Sequence, residues 1–173
     1  MIRTSVILVG HSYGGAVVTE LAMEPQVKAL IYLAGAAPTT KEPFGVTMSR
    51  FAGEHQPALV SDPDGWLWAT RETFAEGLAQ DLPPEAHDFL AAVQKPVSPA
   101  VFSGVSSNRN RLSKPCWYLV SENDRLLAPE GQRRLAEEIG AVCLSTPSGH
   151  MLPLSAQGVV VDLIAAVLEA VTA

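Results

Sequence analysis

The sequence contains Gly10-His11-Ser12-Tyr13-Gly14, a G-x-S-x-G pattern set between the β-rich run SVILV (5 to 9) and the helical stretch GGAVVTELAM. Glycine on either side of a serine lets the chain turn sharply from strand to helix and lift the hydroxyl clear of a sheet. A hydroxyl is a poor nucleophile until a base takes its proton. Such a serine therefore calls for a histidine, and behind it a carboxylate that fixes the imidazole tautomer and stabilises the imidazolium. Two later stretches supply these groups: SENDRLLAP, after CWYLVS, offers Glu122 and Asp124, and STPSGHML, after AVCLS, offers His150. Open parallel sheets place ligands beyond the carboxyl ends of their strands. Ser12, Asp124 and His150 each follow a different β-rich run, so all three are expected at one edge. The chemistry predicted there is attack by Ser12 on an acyl carbon.

The elements that must position these residues are legible as four β-rich runs, at 5 to 9, 28 to 34, 116 to 121 and 141 to 145. None alternates cleanly with polar residues, the pattern of strands covered on both faces of a parallel sheet. The crossover helices fall in GGAVVTELAM, stopped by Pro25, and in PEGQRRLAEEIG, opened by Pro129 and closed by Gly140. A C-terminal amphipathic helix is predicted from a Ser155 N-cap, with Val160, Leu163, Ile164, Val167, Leu168 and Val171 facing the sheet. Residues 39 to 113 are too long for a bare connection between core strands. DPDG predicts a hairpin around Asp62 to Gly65, and RETFAEGLAQ and PPEAHDFLAAV predict helices. The fold class expected is α/β, a parallel sheet of about four strands with flanking helices and a helical cap inserted at 39–113.

Composition bounds the rest. A chain of 173 residues, 47% hydrophobic and 17% charged, is expected to form a single domain over 1–173. With 12 Lys plus Arg against 18 Asp plus Glu, the formal charge is −6, and no basic cluster offers a footprint for nucleic acid. The apolar start is too short for a secretory segment, and no stretch approaches a membrane span, so a cytoplasmic protein with no membrane partner is expected. Cys116 and Cys143 read as buried reduced thiols, and the four histidines show no metal-ligand spacing, so no metal is expected. His11 reads as packing under the serine turn, and His55 and His87 as surface residues of the cap. Trp66 and Trp68 are candidates to line a substrate pocket, although two positions apart on a strand they read equally as core. Trp117 reads as sheet core, and Arg109, Arg111 and Lys114 as a solvated loop.

VILVGHSYGGAVVTELA, VKALIYLAGAAP, FAEGLAQDLPPEAHDFLAAVQKP, KPCWYLVSENDRLLAP and SGHMLPLSAQGVV together resemble the α/β-hydrolase family. They are most similar to a bacterial branch of small cofactor-free serine hydrolases related to plant methylesterases and hydroxynitrile lyases. The resemblance implies that Ser12 is the nucleophile, His150 the base, Asp124 rather than Glu122 the acid, and the Tyr13 backbone N–H an oxyanion donor. It implies no cofactor and a small-molecule ester substrate, cleaved through an acyl-enzyme. Carbon–carbon lyase chemistry on the same residues, and a non-catalytic remnant or small-molecule binding protein, are the alternatives. In that family the serine turn follows the fifth strand, whereas here it begins at residue 10. The chain is thus expected to correspond to the C-terminal two thirds of such a hydrolase, with strand 5–9 left open to self-association.

Overall fold

The computed structural model describes residues 5–38, 42–106 and 114–172. Arg109 and Arg111 lie outside the described residues, and Lys114 is half-buried. In chain order the elements are β1 (Val6–His11), α1 (Gly14–Glu20), β2 (Val27–Leu33), α2 (Phe44–Arg50), β3 (Leu59–Ser61), β4 (Leu67–Ala69) and α3 (Arg71–Thr73), which runs on into a π-helical turn at Phe74–Leu78. There follow α4 (Pro84–Val93), α5 (Ala100–Ser103), β5 (Cys116–Ser121), α6 (Pro129–Glu138), β6 (Val142–Thr146), α7 (Leu152–Ser155) and α8 (Gln157–Thr172).

The main sheet is parallel throughout, in the order β1-β2-β5-β6. Its strands read as continuous apolar runs because both faces are covered. On β2, Leu30 and Tyr32 join a core with Val18 of α1 and Leu135 of α6, while Ala29, Ile31 and Leu33 join another with Val160, Leu163 and Val167 of α8. Trp117 packs at the margin of the second core. Burial pushes the Tyr32 and Tyr118 phenols well above their usual range. Tyr32 meets the Thr19 hydroxyl at 2.9 Å, and Tyr118 donates to the Gly35 carbonyl at 2.9 Å. β1 occupies one edge of the sheet, with no further strand on its outer side among the described residues. No helix among the described residues is long and apolar enough to cross a membrane.

Four details depart from the sequence reading. Ser155 does not cap the last helix: Pro153 sits in a separate short helix, α7, the helical run is interrupted at Ala156, and the Ser155 hydroxyl turns back to the Met151 carbonyl. Leu168 is exposed, being off the stripe that meets the sheet. Cys143 is also exposed, because β6 is an edge strand beyond the face that α8 covers through β2. RETFAEGLAQ forms only one α-helical turn before widening at Phe74–Leu78, where Gly77 admits the His55 ring against its backbone.

The cap hairpin forms as predicted. Gly65 takes φ +84°, and the Asp62 Oδ1 accepts from the Asp64 and Trp66 N–H groups at 3.0 and 2.9 Å. That pattern is the local reason for a turn at DPDG. Cap helices α2 and α5 carried no signal in the sequence, each being under two and a half turns long and held by contact with the other.

Candidate active site

β1 ends and α1 begins across Ser12, which is held at φ +51°. A non-glycine residue there is strained and persists only when its surroundings fix it. They do: the Ser12 N–H donates to the Leu33 carbonyl at 3.1 Å, and the Ser12 carbonyl accepts from Gly15 and Ala36 N–H at 2.9 Å each. The glycines divide unevenly. A Cβ on Gly10 would stand 2.5 Å from the Gly14 carbonyl oxygen, and one on Gly15 would overlap the Ala36 carbonyl, whereas one on Gly14 would meet open space. Of the two glycines that define the pattern, one is sterically required, and the second requirement falls one residue further on.

The β6–α7 loop brings His150 to this turn. Its Nε2 lies 2.8 Å from Ser12 Oγ, and its Nδ1 lies 2.7 Å from Asp124 Oδ2 at the end of β5. A carboxylate only accepts, so Nδ1 carries the proton and Nε2 is left to accept from the serine hydroxyl. Both His150 and Asp124 are buried. Asp124 is saturated: Oδ1 accepts from Leu126 and Leu127 N–H at 2.8 and 3.0 Å, and Oδ2 also accepts from Gln132 Nε2 at 2.9 Å. Gln132, fully buried on α6, also accepts from the Ser121 N–H and donates to the Leu127 carbonyl. Glutamine in a polar helix usually faces water, and the one signal for Gln132 is its place three before Leu135 on the inward face of α6. Glu122 points elsewhere. It pairs with Arg133, and hydrogen bonding from Ser145 and Arg133 holds its carboxyl below the usual range.

His11 packs beneath this arrangement, its Nε2–H donating to the His150 carbonyl at 2.7 Å and its ring centroid 5.0 Å from that of His150. Burial, with the neighbouring His150 second, pushes its pKa down to about 4. The two cap histidines are not surface residues. His87 is buried and donates Nε2–H to the Ala79 carbonyl at 2.8 Å, because α4 turns it inward onto the preceding turn. His55 is half-buried against Gly77, 3.9 Å from Glu76.

Ser12 and His150 open into a cavity of about 490 Å³ under the cap. Its walls are mainly apolar, with Met48, Leu59, Leu67, Phe74, Leu78, Phe102 and Leu127 prominent. Neither Trp66 nor Trp68 lines it. Successive strand residues face opposite ways, so β4 presents Leu67 and Ala69 to the cavity and turns the tryptophans outward. Trp66 is exposed, and Trp68 donates its Nε1–H to Asp62 at 2.9 Å. Among the described residues no group of three or more His, Cys, Asp or Glu side chains is placed to hold a metal ion.

The sequence matches the family model described as "Alpha/beta hydrolase family" over residues 2–163. No curated protein matches it. Among solved structures, the fold is similar to a pyrethroid hydrolase from Sphingobium faniae JZ-2, with a TM-score of 0.76 and 23% identity, covering 95% of this chain and 71% of that one. It is similar also to polyneuridine aldehyde esterase, with a TM-score of 0.75 and 16% identity over 96% of this chain and 73% of the other. A methylesterase from Arabidopsis, MES16, superposes with a TM-score of 0.67 and 22% identity, covering 99% and 71% of the two chains. At such identities these likenesses concern the fold.

Proposed function

Because this chain belongs to the alpha/beta hydrolase family, we propose that it hydrolyses a carboxylic ester with apolar groups flanking the ester bond, through an acyl-enzyme on Ser12. The observation that carries this reading is the continuous hydrogen-bonded line from Asp124 Oδ2 through His150 to Ser12 Oγ, at 2.7 and 2.8 Å, opening into an apolar cavity. Among the described residues of the cavity wall, no other hydroxyl is bonded to a buried base.

Ser12 Oγ attacks the ester carbonyl carbon as its proton passes to His150 Nε2, and the carbonyl π pair moves onto oxygen. The Tyr13 N–H, in the first turn of α1, is one of the backbone donors that a helix start leaves without an intrahelical acceptor. It is suited to that oxyanion. Asp124 stabilises the imidazolium without taking its proton. Collapse of the tetrahedral species breaks the bond to the alcohol oxygen, and His150 returns the proton to that oxygen. Water then adds to the acyl-enzyme with His150 again as base, releasing the acid and restoring Ser12. The apolar walls favour a substrate that buries hydrocarbon.

The test is turnover of p-nitrophenyl butyrate together with labelling by a fluorophosphonate probe. Ser12→Ala is expected to abolish both. Turnover that survives in Ser12→Ala overturns Ser12 as the nucleophile, and folded wild-type chain that neither labels nor hydrolyses the ester overturns the reading and leaves a binding protein.

A further inference from the structure

Two cap residues outside the cavity lining reach the loops that carry Asp124 and His150. The turn between the π-helical segment Phe74–Leu78 and α4 holds Gln80 and Asp81. Gln80 Nε2–H donates to the Asn123 carbonyl at 2.7 Å, one residue before Asp124. The Asp81 carboxylate accepts from the Gly149 N–H at 2.6 Å, one residue before His150, and from the Ser148 hydroxyl at 3.3 Å. A Cβ on Gly149 would stand 2.6 Å from both Asp81 Oδ1 and Gln80 Nε2, so the fit leaves no room for a side chain.

The two loops already bond to each other. The Asn123 N–H donates to the Ser148 carbonyl at 3.0 Å, and the Ser121 hydroxyl donates to the carbonyls of Ser148 and Gly149. What remained unpartnered in these peptides was the Asn123 carbonyl and the Gly149 N–H, and the cap supplies a donor to one and an acceptor to the other. The cap turn is itself fixed: buried His87 donates to the Ala79 carbonyl, and the Leu82 N–H donates to that same carbonyl at 2.9 Å. Leu78, two residues before Gln80, lines the cavity.

We propose that Gln80 and Asp81 are positioning residues: they set the distance and angle between Asp124 and His150 from the cap, so that the cap's seating over the cavity sets the alignment of the base. This rests on the ester-hydrolase reading for its effect on rate, but the positioning itself is a statement about the His150–Asp124 hydrogen bond. The bond reports through the downfield Nδ1 proton resonance of His150. A side chain that only helps the cap fold changes Tm and KM together and leaves that resonance in place.

The experiment measures kcat and KM for p-nitrophenyl butyrate, the downfield proton resonance and Tm in the full chain and its variants. Asp81→Ala is expected to lower kcat by about tenfold, the scale of one lost hydrogen bond to a charged acceptor, while KM changes by less than about twofold. The resonance should broaden as its proton exchanges faster with water. Asp81→Asn, which keeps a carbonyl oxygen facing Gly149, is expected to recover most of kcat and the sharp resonance. Gln80→Ala gives a second, independent reading should Asp81→Ala fail to fold, with the same direction of change. A wild-type resonance and wild-type kcat in folded Asp81→Ala or Gln80→Ala overturn the proposal, as does a loss confined to KM. If the wild type hydrolyses no ester, the ester-hydrolase reading fails, and the response of the resonance still decides whether these two residues position His150.

Discussion

Below the cavity, each functional atom is fixed by directed bonds. Asp124 accepts four hydrogen bonds, Ser12 is pinned at φ +51° through its own N–H and carbonyl, and His150 is bonded at both ring nitrogens. Above it, the cap presents Met48, Leu59, Leu67 and Phe102, whose contacts with a ligand are governed by shape and area. Hydrogen bonds fall off steeply with distance and angle, whereas apolar packing tolerates exchange of similar volumes. Changes to the floor, and to Gln80 and Asp81, which bond to it from the cap, should therefore act on rate, and changes to the side chains that line the roof on which substrate is held.

The largest effect is expected from Asp124→Asn. An amide at that position cannot both hold the Nδ1–H tautomer and stabilise a positive imidazole, so kcat should drop by about 10⁴-fold, as in the serine-protease case where the same change was made. Glu122→Gln, whose parent side chain pairs with Arg133, should leave kcat unchanged. Equal losses in the two variants, measured on p-nitrophenyl butyrate, would show that the floor is not organised around Asp124.

A second effect belongs to His11, whose folded pKa of about 4 lies below the ordinary histidine value of 6.5. In the unfolded chain this ring binds a proton as pH falls through 6.5, but in the folded chain it resists until about 4. The unfolded state therefore binds more protons in that window, and stability is lost as pH drops across it. The span corresponds to at most about 3 kcal/mol at 1.36 kcal/mol per unit. Urea denaturation of the wild type and His11→Gln, which keeps an N–H donor toward the His150 carbonyl, should show the wild type losing stability faster from pH 6.5 to 4. Parallel curves would mean that His11 titrates freely.

A third effect separates the glycines. Gly15→Ala places a methyl into the Ala36 carbonyl and is expected to cost about 1–3 kcal/mol, the usual penalty of overpacking. Gly14→Ala meets open space at the first residue of α1 and should stabilise by about 0.4–1 kcal/mol, chiefly by reducing the freedom of the unfolded chain. If both substitutions destabilise alike, the G-x-S-x-G spacing itself is the constraint, and the backbone contact with Ala36 is not.

The same floor and roof differ in how far they could be read in advance. The four core strands were legible to within two residues because burial on both faces leaves unbroken apolar runs, and the serine turn because glycine at position 10 answers a backbone contact with Gly14 that leaves no space for a Cβ. Gln132 was only partly legible: its place three before Leu135 and seven before Ile139 sets it on the inward face of α6, but not beneath Asp124, which depends on how that helix packs against β5. In the cap, local turn chemistry at Asp62 to Gly65 gave the hairpin, but not which face would meet the cavity. A two-residue period names two faces and leaves the choice to whatever packs above them, here Leu59, Leu67 and Ala69 inward and the tryptophans outward. His87 and His55 were misread for the same reason, since burial inside a cap of short elements follows contacts between elements rather than a pattern along any one of them.

The smallest expected effect tests the roof alone. Leu67 opens β4, pairs with Ser61 across the hairpin and is fixed at its other side by backbone bonds to Val97, its N–H donating at 2.9 Å and its carbonyl accepting at 2.8 Å. These bonds involve the main chain, so Leu67→Ala should leave the hairpin in place and remove only the side chain that faces the cavity. A leucine contact with substrate hydrocarbon contributes about 1–3 kcal/mol of burial, and partial exposure at this position argues for the lower end, roughly fivefold to tenfold in affinity. For p-nitrophenyl octanoate KM should rise by about that factor while kcat holds, and for p-nitrophenyl acetate, whose acyl group is too short to reach the hairpin, neither should change. Trp66→Ala, just before that strand and exposed to solvent, should be silent with both esters. A fall in kcat for acetate in Leu67→Ala would mean that the roof governs the alignment of Ser12 and His150 through this strand as well, and the division between floor and roof would then have to be redrawn along the hairpin rather than along the cavity wall.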